Sequence, residues 1–187
     1  MKFVAKISAF VAASLVSASA LAFPIAIPGT EGLKVFASGN GPVVATYEGN
    51  SAGYSNDLFL GSLFIFNNHG SPVGSVANLG SFTPGTELIF KLHVNNTGDN
   101  WFTGDASRNS DNLFHARVQN NWKPGTTLVS FEDLRGTPEG VNGYNDLSFS
   151  FTNTQINPVP EPETYAMMLA GLGLLGFAAR RKAKAAK

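Results

Sequence analysis

Acidic and amide side chains concentrate in one short segment of the chain, where their oxygens could bind a cation. The residues, all within 15 positions, are Glu132, Asp133, Glu139, Asn142, Asn145 and Asp146. Calcium takes six to eight oxygens from carboxylates, amides and backbone carbonyls, often on a flexible loop. Gly136, Gly140 and Gly143 would let this loop fold around an ion. The segment therefore predicts calcium as the one candidate cofactor.

The same residues also have a purely structural interpretation. Asp and Asn side chains accept hydrogen bonds from nearby backbone N–H groups and so cap turns. The sequence leaves both interpretations open. A segment at 53–59, Gly-Tyr-Ser-Asn-Asp-Leu-Phe, echoes Gly-Tyr-Asn-Asp-Leu-Ser-Phe at 143–149 as a weak internal repeat.

Patterns that would indicate catalysis are weak. Glu132 and Asp133 are sequential, so on a strand they would point to opposite faces and make a poor glycosidase pair. The three histidines lack the spacing of a zinc site, and the chain has no cysteine. We expect no enzymatic activity.

A second polar loop runs from 95 to 100 and leads into Trp101 and Phe102. These two aromatic residues predict either an exposed platform for a sugar ring or side chains tucked beneath the loop. Residues 23–160 carry 11 acidic and six basic side chains, which leaves a formal charge of −5. A domain of that sign has no electrostatic reason to bind phosphate backbones, which argues against a nucleic-acid partner.

Short β-favouring runs alternate with Gly, Asn, Pro and Ser clusters through residues 23–157. Leu88, Phe90, Leu92 and Val94 alternate with polar neighbours, as expected for a strand with one buried face. The predicted strands cover residues 33–37, 43–48, 57–66, 74–78, 87–94, 113–118, 127–131 and 147–152. This pattern predicts an all-β, antiparallel β-sandwich of jelly-roll type.

The N-terminus has the three zones of a secretory signal peptide. Lys2 and Lys6 supply positive charge, and an apolar run follows. Ala20 and Ala22 then stand in the A-x-A relation, which predicts cleavage by signal peptidase between Ala22 and Phe23. We expect the signal peptide to cover residues 1–22.

The C-terminus combines a proline-rich linker, an apolar run at 165–179 and a basic end. Fifteen helical residues span about 22 Å, which is short of the ~30 Å hydrocarbon core of a bilayer. The basic side chains Arg180, Arg181 and Lys182 would stop transfer and keep that end in the cytoplasm. We expect a short transmembrane sorting helix within residues 158–187.

This tail resembles the PEP-CTERM sorting signal. The resemblance is carried by Val159, Pro160, Glu161 and Pro162, then the apolar run and the basic end. It implies that the membrane protease exosortase recognises the Pro-Glu-Pro region, removes the tail and passes the protein to the cell surface or matrix. The implied host is a Gram-negative bacterium, and the implied membrane contact is transient.

The segment around the acidic residues resembles the DUF4114 domain family. The matching positions are Phe131, Glu132, Asp133, Tyr144, Asn145, Asp146, Leu147 and Phe149. The intervening loop departs from the family because it carries fewer aspartates. The resemblance implies a β-sandwich over residues 23–157 and no particular activity.

Together these features predict an exported surface or matrix protein with a structural or adhesive role alongside exopolysaccharide or biofilm. One alternative is a calcium-dependent carbohydrate-binding module, and a second is a polysaccharide hydrolase. Glycan binding that a chelator abolishes would select the first alternative. Turnover of a polysaccharide would select the second.

Overall fold

The computed structural model describes residues 23–136 and 143–156, together with Leu172 in the tail. Residues 23–136 and 143–156 form β-strands and one short 3-10 turn at Ala106–Arg108. In chain order the strands are β1 (Phe36–Ala37), β2 (Pro42–Asn50), β3 (Asn56–Leu60), β4 (Leu63–Asn67), β5 (Val76–Ser81), β6 (Phe90–Val94), β7 (Asn100–Phe102), β8 (Ala116–Lys123), β9 (Thr126–Phe131), β10 (Leu147–Thr152) and β11 (Thr154–Gln155). The predicted all-β class is confirmed.

The strands form two main sheets. The larger has the order β5-β2-β10-β9-β8, and the smaller has the order β4-β3-β6-β7. A two-stranded sheet pairs β1 with β11. Every paired strand runs antiparallel to its neighbour, as predicted.

Aromatic side chains join the two main sheets through one hydrophobic core. Phe66 of β4 stacks on Phe149 of β10 with ring centroids 6.1 Å apart. Phe90 of β6 stacks on Phe151 of β10 at 3.9 Å. The two sheets therefore pack face to face. The jelly-roll connectivity stays a prediction.

The predicted strand at 57–66 is wrong, because it is a hairpin of two strands. Leu60 pairs with Leu63 across a two-residue turn made by Gly61 and Ser62. Gly61 adopts φ +59°, a conformation that glycine reaches without a steric cost. The alternation of inward and outward side chains in β3 therefore does not continue through the turn into β4.

The segment that follows the predicted signal peptide covers the outer face of the larger sheet. The backbone N–H of Ala26 donates to Ser130 Oγ at 2.9 Å, and Ser130 shares a hydrogen bond with Ser148 at 2.7 Å. Phe23 lies against Gly49, where an added Cβ would come within 2.5 Å of the Phe23 side chain. This cover explains why all six residues of β9 are buried.

Several predictions fall outside the described residues. They are Ala20 and Ala22 of the cleavage site, the sorting motif at 159–162 and the membrane-stop residues at 180–182. Leu172, within the predicted tail helix, is helical and exposed. None of the helical structure that can be described here has the length and apolar character needed to cross a bilayer.

The core contacts predict a large cost for truncating an inner aromatic residue. Phe149→Ala removes a fully buried ring that contacts Tyr47, Phe66 and Phe131. We expect the free energy of unfolding to fall by about 3–5 kcal/mol in urea titrations. Phe64→Ala, at a ring that is half exposed, is the matched control and should cost less than about 1 kcal/mol. Equal losses for the two variants would contradict this assignment of the core.

Candidate functional site

Three carboxylates meet where β9 and β10 pair, and they are called the carboxylate cluster below: Glu132, Asp133 and Asp146. Phe131 pairs with Leu147, so the residues just after β9 lie beside the residue just before β10. One ligand oxygen from each of the three side chains lies within 4.8 Å of the others. Glu132 and Asp133 are buried, and Asp146 is partly buried. The antiparallel register therefore assembles the cluster.

The structure corrects one expectation about the predicted site residues and leaves others open. The opposite-face argument for Glu132 and Asp133 is wrong, because β9 ends at Phe131 and both carboxylates reach the same cluster. The backbone carbonyl oxygen of Asn145 accepts hydrogen bonds from the backbone N–H and the hydroxyl of Ser51. The part of the Asn145 side chain in a calcium site stays a prediction. Glu139 and Asn142 lie outside the described residues, so their part in a calcium site stays a prediction.

Local hydrogen bonds support the turn-capping interpretation in part. Asp146 Oδ2 accepts the backbone N–H of Asp133 at 2.7 Å. Glu132 Oε1 accepts the backbone N–H of Leu134 at 3.0 Å. These bonds fix the chain as it leaves β9. They hold the Asp146 and Glu132 carboxylates beside Asp133.

Two residues of the smaller sheet reach the cluster, and sequence reasoning missed both contacts. Asn56 of β3 donates from Nδ2 to Asp133 Oδ2 at 2.7 Å. Trp101 of β7 donates from its indole Nε1 to the carbonyl of Asp133 at 2.9 Å. The weak repeat between 53–59 and 143–149 was the sequence signal for Asn56, because it aligns Asn56 with Asp146. Both residues are hydrogen-bonded to Asp133.

The cluster changes the protonation of its own members. Burial raises the pKa of Asp133 to about 6, and the charge of Asp146 adds to the rise. The hydrogen bond from Asn56 lowers this pKa but does not offset the burial. Burial likewise raises the pKa of Asp146 to about 7, with a further contribution from Glu132. Carboxyl groups with a raised pKa hold a proton that water would remove. A cation would favour their charged forms.

A second candidate site lies on the outer face of the smaller sheet. Leu58, Leu92 and Trp101 point into the core, so their neighbours along each strand point outward. The register aligns one outward set across all four strands, called the aromatic row below: Phe64, Phe59, Lys91 and Phe102. Phe59 contacts Phe64 edge-on, and the Lys91 ammonium lies 4.3 Å from the centre of the Phe59 ring.

A polar row runs beside the aromatic row, two residues or about 7 Å away along β3, β6 and β7, and three residues away along β4, where the register shifts. It consists of Asn67, Asp57, His93 and Asn100. Asn67 donates to Asp57 Oδ1 at 2.6 Å, and His93 Nδ1 is hydrogen-bonded to Asn100 Oδ1 at 3.0 Å. The face thus places flat apolar rings next to oriented amide, carboxylate and imidazole groups.

Two open clefts flank this face and share Lys91 and Phe102 in their linings. One has a volume of about 630 Å³ and is lined also by Asp99, Asn100, Arg108 and Asn109. The other has a volume of about 470 Å³ and a more apolar lining. Of the two alternatives predicted for the loop aromatics, Trp101 follows the tucked one, because it is fully buried and stacked on His115. Phe102 lies on the outer face.

The raised pKa values of Asp133 and Asp146 predict how stability depends on pH in the presence of a chelator. Unfolded aspartates lose their protons near pH 4, whereas the folded pair keeps them until about pH 6–7. The native state therefore binds more protons in this window, so stability should fall by a few kcal/mol as pH rises from 4 to 7. Urea unfolding with Asp146→Asn should show a much smaller fall.

Asp111→Asn provides a control of opposite sign. Burial opposes ionisation of Asp111, but hydrogen bonds from His115 and from the backbone N–H groups of Gly136 and Leu113 outweigh it and lower its pKa. A lowered pKa contributes stability that is lost on acidification, so this variant should keep the fall between pH 4 and 7. A wild-type protein whose stability rises through that window would contradict the assignment.

Comparison with known proteins identifies the tail. Residues 158–182 match the PEP-CTERM protein-sorting motif, which includes the predicted motif at 159–162 and the basic residues at 180–182. No curated protein and no solved structure gives a significant match. None of these comparisons supports the resemblance to DUF4114. The motif indicates an exported protein that passes through the membrane and is processed by exosortase.

Proposed function

We propose that this protein is a structural or adhesive component of the cell surface or extracellular matrix of a Gram-negative bacterium, in contact with exopolysaccharide. The observation that carries the proposal is the sorting motif at residues 158–182, which follows a β domain directly in the chain. Signal peptidase removes residues 1–22, and exosortase removes the tail. The β domain of residues 23–157 is the part that acts outside the cell.

The outer face of the smaller sheet supports contact with a polysaccharide. A sugar ring has an apolar C–H face and a rim of hydroxyl groups. The aromatic row offers ring faces, whose negative charge density attracts C–H groups. The polar row offers hydrogen-bond donors and acceptors within reach of the rim. A chain of sugars that spans the two rows would satisfy both.

The two clefts favour binding of an extended chain. They meet at Lys91 and Phe102, so a polymer crossing the aromatic row would contact both. Most of the polar side chains there are amides and hydroxyls, which are suited to uncharged sugars. Arg108 is held by Glu87 at 2.7 Å and shapes the cleft as part of an ion pair.

The calcium-dependent carbohydrate-binding module is the second candidate. It is favoured by the position of Asn56, which contacts the carboxylate cluster and directly precedes Asp57 of the polar row. A cation at the cluster would act on the glycan face through this strand. The hydrolase alternative is tested by assaying release of reducing ends, and the expectation of no enzymatic activity stays a prediction.

Processing of the tail should depend on its Pro-Glu-Pro segment. Glu161→Ala changes the charged residue of the motif, so exosortase should leave a longer, membrane-bound form in the native host. Immunoblots of membrane and released fractions measure this. Glu163→Ala, just beyond Pro162, is the matched control and should be processed normally. Equal processing of the Glu161 variant and the wild type would show that the tail is a simple anchor.

Glycan binding should depend on the aromatic row. Phe102→Ala removes a ring shared by both clefts, so affinity for the host exopolysaccharide should fall about tenfold, the equivalent of about 1.4 kcal/mol. Affinity electrophoresis or calorimetry measures the change. Phe114→Ala removes an exposed ring outside the two rows and should leave affinity unchanged.

Two results would contradict the adhesive role. One is an exported protein that shows no affinity for the host exopolysaccharide. The other is binding that Phe102→Ala and Phe114→Ala reduce equally, since this would place the contact away from the aromatic row.

A further inference from the structure

The carboxylate cluster lies at the junction of the two sheets and is enclosed by groups from both. Glu132 and Asp133 follow β9 of the larger sheet, and both are more than 95% buried. Asn56 of the smaller sheet and the indole of Trp101 contact Asp133 from the other side. Bringing carboxylates together out of water is costly unless positive charge or hydrogen-bond donors compensate.

Asn56 supplies an independent observation that points to a ligand. Its side chain is fully buried, and its amide lies against the cluster with Nδ2 2.7 Å from Asp133 Oδ2. Its Oδ1 accepts no hydrogen bond from any group in the described part of the chain. Buried amide oxygens without a donor are rare in folded proteins because each one costs about 1–3 kcal/mol.

A half-turn of the Asn56 amide exchanges Nδ2 and Oδ1 with little change in shape. That turn directs the orphaned oxygen toward Asp133 Oδ2 and toward the carbonyl of Tyr54, which now accept from Nδ2. Oxygens brought this close repel one another unless a cation lies between them. The same side chain therefore closes the cluster as a hydrogen-bond donor without an ion and as a ligand with one.

We propose that Glu132, Asp133, Asp146 and Asn56, with the carbonyl of Tyr54, bind one calcium ion that joins the two sheets. The spacing fits a single ion. Calcium–oxygen distances of 2.3–2.6 Å put ligands on opposite sides of the ion about 4.6–5.2 Å apart. The three carboxylates already present oxygens within 4.8 Å of one another.

The donor set selects calcium among the common cations. All five donor groups carry oxygen, and carboxylates that bind through both oxygens raise the number of ligands to the six to eight that calcium takes. Zinc favours nitrogen and sulfur ligands in a tetrahedral arrangement. Magnesium demands near-ideal octahedral geometry and keeps several waters, which a site enclosed by protein groups resists.

The site acts as a clamp between the sheets. Asn56 begins β3, whereas Glu132 and Asp146 flank the β9–β10 pairing. In a chain without disulfides, one ion holding both strand ends would tie the sheets together beside Trp101. The expected affinity is that of extracellular calcium modules, with Kd in the range of about 10⁻⁴–10⁻³ M. This clamp does not depend on glycan binding.

The test is a thermal melt of the full chain in mild detergent, with calcium chloride, with magnesium chloride and with chelator. The native site binds calcium and the unfolded chain does not, so a tenfold excess over Kd should raise Tm by about 5 °C. Magnesium should give a much smaller shift. Terbium provides a second readout, because the Trp101 indole next to Asp133 should sensitise its luminescence and calcium should displace it.

Substitutions separate an ion site from turn capping. Asp146→Asn keeps an oxygen for the N–H of Asp133 but removes a charge, so it should abolish the calcium shift without lowering Tm in chelator. Asn56→Asp adds a charge at the junction, so it should lower Tm in chelator and enlarge the calcium shift. Asp111→Asn changes a carboxylate held by His115 and Gly136, so it should keep the full shift as the control.

Two results would overturn the clamp. One is a wild-type protein with no Tm shift in 10 mM calcium (about tenfold above the weakest expected Kd) and no sensitised terbium luminescence. The other is a calcium shift that survives in both Asp146→Asn and Asn56→Asp at its wild-type size, which would place the ion elsewhere. If Asp146→Asn fails to fold, the terbium titration of the wild type and of Asn56→Asp decides.

Discussion

The packing of the two sheets against each other holds every other feature of the domain in place. The chain has no cysteine, so no disulfide fixes the sheets, and buried aromatic and aliphatic side chains supply the interface. Phe149 and Phe151 of one central strand contact rings from both sheets. The inward-facing residues of β3, β6 and β7 are buried in this core. Because this fixes the strands, their outward-facing residues form a regular surface.

The sheet interface changes character at the end where the carboxylate cluster lies. There Trp101 stacks on His115 with ring centroids 3.7 Å apart and donates a hydrogen bond to Asp133. Asp111 joins this end to the β9–β10 connection, because Oδ2 is hydrogen-bonded to His115 and accepts the N–H of Gly136. Apolar burial stabilises most of the interface, whereas at this end buried carboxylates and their hydrogen bonds lie between the sheets. The same strands thus link the interior site to the outer face.

The sequence predicted what depends on local pattern. Alternation located most strands, because half-buried strands repeat every two residues. It missed the turn at Gly61, since an apolar run continues across it, and it missed β7, which follows a polar loop. In β9 the burial does not alternate, because cover by the N-terminal segment buries both faces.

The site residues show the same difference between local pattern, which the sequence predicted, and long-range contacts, which it did not. Three of the six predicted calcium ligands meet because they flank one antiparallel pair, and hairpin register is a local property. Asn56 lies 77 positions from Asp133, and only sheet packing brings it there. The aromatic row needs the register of three strand pairs, including the unrecognised hairpin. Sequence alone does not determine such long-range pairings.

The central claim is that an exported β domain meets polysaccharide through the outer face of its smaller sheet. The most direct measurement is an NMR titration of the ¹⁵N-labelled processed protein with oligosaccharides prepared from the host exopolysaccharide. The account predicts saturable shift changes concentrated at β3, β6 and β7, with the largest near Phe59, Lys91 and Phe102. Changes confined to the larger sheet, or none at millimolar oligosaccharide, would contradict it.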